Sequence, residues 1–285
     1  MIKFLLDHKY NNNFDLIIII KQKNINKMIF QYRDVLLSSH ELMLVGIINT
    51  IFIVINILMG CVMIYRGIEV KNYTMLYVSG VFFAGISAWG GILFYFLSIL
   101  ILNVYYPTTV YFLVQGGFLW VLLFLWIVGL SDLAMIKGKR RRNLLIFVGS
   151  LFATLEIIYW IVAIFAPDLL GTIDNLFIPE YAALSEFYLL AGISVFTIGG
   201  AWIGKESYKS KIPKIKLKSY FLILYVILIT AGSILEIFRA TIFGELAIIG
   251  SILAKILLTT GMFSGYIGFM LPSLIVKIFL GEEEL

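Results

Sequence analysis

The chain has 285 residues, 61% of them hydrophobic and 14% charged, with a formal net charge of +5 and a mean hydropathy of +0.99. Soluble domains are about 45–50% apolar, so this composition excludes a water-soluble globule. The cations lie in short gaps between apolar runs, where they orient a membrane protein and touch anionic headgroups, and they do not indicate a nucleic-acid partner.

Residues 1–42 read as an N-terminal arm, interfacial or disordered, because the apolar stretch Phe14 to Ile20 is too short to span a bilayer. Residues 1–27 also fit an over-called start: Asn11-Asn12-Asn13 and Ile17 to Ile20 mixed with lysines are what AT-rich coding yields, and Met28 offers another start. The arm is not a signal peptide, since its apolar core is short and no small-residue cleavage site follows.

From Met43 onward seven apolar runs follow, at about 43–65, 76–101, 107–130, 143–165, 186–204, 219–243 and 246–271. Each is close to the ~20 residues that cross a bilayer as a helix, and none alternates as a barrel strand does. The single cysteine, Cys61, sits in the first run, so no internal disulfide can form. Asn49 and Asn56 share a face of that run and Gln115 lies in the third, which suits hydrogen bonds between helices. Ser87-x3-Gly91, Gly200-x3-Gly204 and Gly261-x3-Gly265 permit close helix approach within the bundle. Trp89, Trp120 and Trp126 lie deep enough to fill the bundle or line a pocket. The prolines, Pro107, Pro167, Pro179, Pro213 and Pro272, all stand at run boundaries, which predicts unkinked, continuous helices.

Loop charge sets an orientation. Arg66 and Lys71 mark the first loop, Lys137 and Lys139 to Arg142 the third, and Lys205, Lys209, Lys211, Lys214, Lys216 and Lys218 the fifth. The second and fourth loops lack Lys and Arg, and the fourth carries Asp168, Asp174 and Glu180. The positive-inside rule then places the odd loops and the C-terminus in the cytoplasm and the N-terminus outside; the lysines of the arm oppose this slightly. Residues 272–285 form a juxtamembrane amphipathic stretch, Ser273 to Leu280, and an acidic tail, Glu282 to Glu284.

Three runs carry an ionisable residue near the middle: Glu156, Glu236 and Lys255. Such a group costs several kcal/mol in hydrocarbon unless it is paired, and it is a functional candidate by default. Counting helical rise from the run ends, Glu156 stands ~20 Å from the inner face, Glu236 ~26 Å and Lys255 ~16 Å. Glu156 and Lys255 are therefore expected to meet, either as a lock between helices or as the floor of an outward-opening pocket. Glu236 and Arg239, three apart, are expected to pair locally near the outer surface. Ser251, Lys255 and Thr259 form one polar stripe, which must face protein or water.

Seven runs with a lysine in the last, Ala254-Lys255, are similar to the microbial rhodopsins; that resemblance implies retinal bound to Lys255 as a Schiff base. Ser251 stands where most of that family have an aspartate, the interior of the third run has no Arg or acid, and the sixth lacks the family's Trp and Pro. The count also resembles the G-protein-coupled receptors, but Leu130-Ser131-Asp132-Leu133 replaces their Asp-Arg-Tyr motif, and the Asn-Pro-x-x-Tyr motif is absent. No cofactor is called for by the residues themselves.

The sequence thus points to an all-α bundle of seven membrane helices in a cell membrane. The expected role is a sensor or receptor that takes a small molecule from the outer face and signals to a cytoplasmic protein at the basic loops. A proton-coupled transporter or channel subunit, with Glu156 carrying the proton, is the alternative; unbroken helices and the lack of an inverted repeat count against it. An enzyme is not expected: His8 and His40 both lie outside the runs, and no metal set, nucleophile elbow or phosphate loop is visible.

Overall fold

The computed structural model describes residues 32–134, 136–176 and 178–281. The expected arm lies mostly outside these residues, as do the proposed alternative start and the acidic tail. Seven helical spans cover His40–Glu69, Tyr73–Leu102, Thr108–Leu133, Gly138–Phe165, Ala183–Tyr208, Pro213–Ile237 and Ala247–Met270. At 24 to 30 residues each they are ~36–45 Å long, more than the ~30 Å hydrocarbon thickness. Their length and apolar composition make the chain a polytopic membrane protein.

Most spans outrun the apolar runs because helix continues through the flanking charged residues. Lys139 to Arg142 form the first turns of the fourth span, and Lys214 to Lys218 those of the sixth, which starts on Pro213. The first span starts on Ser39, whose hydroxyl accepts from the amide of Leu42 at 3.3 Å. The sixth span ends earlier than expected, at Ile237; a short helix, Arg239–Phe243, and a tight turn, Gly244–Leu246, lead into the seventh. The amphipathic stretch forms a helix over Ser273–Leu280, with Val276 buried and Leu274, Ile278 and Phe279 exposed.

Spans one, two, three, five, six and seven pack in that order as a ring, with the seventh returning to the first. The fourth lies outside, against the third, and much of its surface is exposed and apolar (Phe147, Ile157, Phe165). Glycines set the closest approaches. A Cβ on Gly261, Gly265 or Gly268 would meet Ile229, Tyr225 or Leu222 of the sixth span at 2.8–2.9 Å. One on Gly200 or Gly204 would meet Val226 or Ile223 at 2.5 or 2.8 Å. The small-residue spacings therefore serve packing inside the bundle, with the sixth span gripped from both sides.

Two features depart from uninterrupted helices. The second span ends in a wider π turn, Ser98–Leu102, closed by Asn103 in the left-handed region. The third span is broken between Thr108–Gly116 and Leu119–Leu133. The loop between the fourth and fifth spans is also not plain coil: β1 (Gly171–Asn175) and β2 (Ile178–Tyr181) pair antiparallel as a hairpin across one end of the ring. The basic third and fifth loops lie at the opposite end, since the chain crosses the bundle between them.

Candidate functional site

Under the hairpin, three polar side chains, Arg239 of the short helix and Ser251 and Lys255 of the seventh span, converge on the carboxylate of Glu236 at the end of the sixth. Glu236 Oε1 accepts from Arg239 Nη1 at 3.0 Å, and Ser251 Oγ lies 3.0–3.1 Å from both carboxylate oxygens. Lys255 Nζ stands 3.3 Å from Oε2, as an ion pair that lacks the alignment of a hydrogen bond. All three charged side chains are 1–4% exposed. Arg239 also donates to the backbone carbonyl of Glu236 and, through Nη2, to that of Pro179 in the hairpin. Trp89 and Phe52 enclose the ammonium of Lys255, with ring centroids at 5.1 and 5.8 Å.

This arrangement revises the expected pairing. Glu236 and Arg239 do pair, but deep inside the bundle end, where snorkelling to headgroups has no part. Lys255 joins Glu236 and not Glu156. The reason is the direction of side chains. A helical Cα–Cβ bond tilts toward the helix N-terminus. The sixth and seventh spans are antiparallel, so Glu236 leans down from the hairpin end while Lys255 reaches up toward it. Together these reaches close the ~10 Å by which backbone height separates them. Ser251 lies one turn nearer the hairpin end than Lys255 and completes the group, whereas Thr259, one turn further down, is half-buried and outside it.

The hairpin is held to this cluster. Tyr181 stacks under the Arg239 guanidinium at 5.8 Å, and its hydroxyl accepts from Gln115 Nε2 at 2.5 Å. Burial pushes the Tyr181 phenol up to about 12, with the neighbouring Arg239 charge opposing, so it stays neutral. A second hydroxyl, of Tyr105, reaches the Ile173 carbonyl at 3.4 Å.

Glu156 forms a separate site at the break in the third span. One of its oxygens accepts from the amide of Trp120 at 2.9 Å, and so caps the N-terminus of the helix Leu119–Leu133 from a neighbouring span. Three further backbone groups freed by the break are also met by side chains. Ser87 Oγ accepts from the Phe118 amide at 3.3 Å, Tyr188 donates to the Gly116 carbonyl at 3.0 Å, and Trp160 Nε1 to that of Gly117 at 2.8 Å. Tyr159 donates to the Phe112 carbonyl at 3.0 Å and stacks on Tyr188. The expectation of unbroken helices is therefore corrected: the break arises at Gly116-Gly117 without a proline, and side chains of neighbouring spans supply bonds to the amides and carbonyls it frees. Glu156 Oε1 has no hydrogen-bond partner among the described residues.

Between the two lies an interior cavity of about 70 Å³, lined by Trp89, Leu119, Leu123, Phe196 and Tyr225 and roofed by Tyr181 and Glu236. At the roughly 30 Å³ each water takes in the liquid, it has room for about two water molecules. Its walls are apolar except for Glu236 and the hydroxyls of Tyr181, Tyr225 and Ser233. The retinal that the rhodopsin resemblance implies does not fit: the space is far too small for a long polyene, and Lys255 stands behind Glu236 and Trp89. Among the described residues no group of His, Cys, Asp and Glu could hold a metal.

Sequence reasoning singled out Glu236, Arg239, Ser251 and Lys255, and gave Gln115 a partner on another helix where the structure gives it Tyr181; it missed Tyr181 and the Pro179 carbonyl, whose roles depend on a loop folding back over the ring. Gly116-Gly117, adjoining Gln115, was a readable signal of the break. No family model, no curated protein and no solved structure matches this chain.

Proposed function

We propose that the protein is a membrane sensor that takes a small ligand into the ring at its hairpin end. The cavity under Glu236 and Tyr181 carries this reading, because one space there touches spans two, three, five, six and seven and the hairpin together. A ligand that fills it contacts Leu119 and Leu123 of the third span and Ile229 of the sixth. These helices lead directly to the basic third and fifth loops, where a shift can be read by an acidic partner. By loop charge the hairpin end faces outward from the cell membrane. No enzymatic role is proposed.

Labels on Lys139→Cys and Lys209→Cys, in a Cys61→Ser background, report the spacing of the two basic loops. Ethanol, a neutral probe on the scale of the cavity, is expected to change that spacing, and Ala84→Phe, whose ring fills the cavity, to abolish the response. A spacing that ethanol leaves unchanged rejects the sensor reading.

A second reading, proton-coupled transport, is favoured by one observation: the third span is broken, as helices at transporter sites are, and a buried carboxyl stands at the helix N-terminus the break creates. A proton flux in proteoliposomes that vanishes in Glu156→Gln establishes it in place of the first.

A further inference from the structure

The basic end of the bundle carries a groove that the sensor reading does not use. Pro213, Lys216, Leu217, Tyr220, Phe221 and Leu224 fall at i, i+3, i+4, i+7, i+8 and i+11, one stripe of the sixth span. The amphipathic helix Ser273–Leu280 folds back against that stripe, with Phe279 edge-on to Phe221 at 5.8 Å between ring centroids. An open groove of about 530 Å³ runs between them, with Phe279 and Leu280 as its second wall. That size lies within the ~300–1,000 Å³ of small-molecule sites. Lys216 is the only charged residue among those that line it.

Polarity is graded along the groove. Lys216 stands at its mouth, and Tyr220 and Leu224 lie ~6 and ~12 Å further along the helix toward the hydrocarbon. Tyr220, Leu224 and Phe279 are exposed, so the groove opens sideways to lipid. A charged end followed by an apolar length is the profile of a phospholipid. Charge decides which phospholipid. Residues 205–218 carry six lysines and one carboxylate, Glu206. Lys209 takes that carboxylate at 2.7 Å, and Lys218 turns inward to the Phe269 carbonyl at 3.4 Å. Lys216 has no ion pair among the described residues. Its ammonium is held 5.1 Å over the ring of Tyr208, which meets Tyr220 edge-on, and this keeps the cation beside the groove.

We propose that this groove seats one anionic phospholipid from the leaflet that borders the basic loops. Its phosphate pairs with Lys216. One acyl chain lies along Tyr220, Phe221 and Leu224 against Phe279. Bound there, the lipid joins the start of the sixth span to the amphipathic helix. This site stands whether or not the interior cavity takes a ligand.

The test counts lipids retained by the purified full chain in native mass spectrometry, from micelles holding phosphatidylglycerol and phosphatidylcholine with the same acyl chains. One phosphatidylglycerol is expected to be held in preference to phosphatidylcholine. Lys216→Gln is expected to weaken that lipid about fivefold and leave phosphatidylcholine as it was, the effect of one lysine at a membrane surface. Lys211→Gln, exposed in the same loop but outside the groove, is expected to leave both lipids nearly as they were. Leu224→Trp, which fills the groove, is expected to release the bound lipid. Lys216 and Leu224 are both exposed, so neither substitution disturbs the bundle core. Equal retention of phosphatidylcholine overturns the anionic class. An effect of Lys211→Gln as large as that of Lys216→Gln overturns the groove in favour of a general basic surface, and Leu224→Trp without effect overturns the seat of the chain. Displacement of the lipid by glycerol phosphate, which has no acyl chain, assigns the site to a free phosphate. A preference that emerges only when Glu282, Glu283 and Glu284 are all changed to Gln overturns the proposal in favour of the acidic tail as the natural occupant of the mouth.

Discussion

Converting Glu236 to glutamine tests the cluster most directly. The substitution keeps the shape and removes the one negative charge that Arg239 and Lys255 share, although both remain almost wholly buried. Breaking a buried ion pair from one side costs about 3–5 kcal/mol, because the stranded charge is not resolvated. At ~2–4 °C per kcal/mol, that is a fall in unfolding midpoint of about 10 °C. Lys255→Met alone should cost much less, since Arg239 keeps Glu236 paired at 3.0 Å. In the Lys255→Met background Glu236→Gln strands only one cation, so its cost should fall by about 1–3 kcal/mol, the coupling expected of groups in contact. The assay is a double-mutant cycle read by thermal or denaturant unfolding in one lipid environment. Additive effects of Glu236 and Lys255 would refute the shared carboxylate, as would coupling of Lys255 to Glu156, to which Lys255 makes no ion pair.

Glu156→Ala should destabilise by about 1–2 kcal/mol, leaving the Trp120 amide without its acceptor, while Glu156→Gln retains an acceptor and should cost little; unfolding midpoints separate the two. Gly265→Ala places a methyl 2.8 Å from the Tyr225 ring and should cost about 1–3 kcal/mol, whereas Gly90→Ala, with its nearest neighbour at 3.6 Å, should be neutral or better by the same measurement. In sealed vesicles of a Cys61→Ser chain, cysteines at Lys139 and Lys209 should label from one side and a cysteine at the exposed Thr172 only from the other; shared access would reject the crossing order.

Much of this bundle is legible in its hydropathy. Seven spans and their approximate ends follow from run length, and Glu236 with Arg239 follows from a spacing of three on one helix. The partner of Lys255 was not legible from depth alone, because residue counts locate backbone, and the ammonium lies on a long side chain aimed the other way from the carboxylate. Glu156 and Lys255 do share a depth by residue count, but the ring order puts them apart: the fourth span packs outside the third, and the seventh closes the ring against the first. That order is a property of three-dimensional packing and has no counterpart in a hydropathy profile. The hairpin was hidden for a related reason. Its pairing is short, and it is fixed by Arg239 and Gln115 from distant parts of the chain.

The break in the third span has a consequence for biogenesis. The carbonyls of Gly116 and Gly117 and the amide of Trp120 are satisfied by Tyr188, Trp160 and Glu156, all of which are synthesised later. A nascent chain holding only the first three spans therefore carries several bare backbone groups at a depth where each costs several kcal/mol. The third span is therefore expected to insert stably only once the fourth and fifth arrive to supply those bonds, so that these three spans enter the bilayer as one cooperative unit.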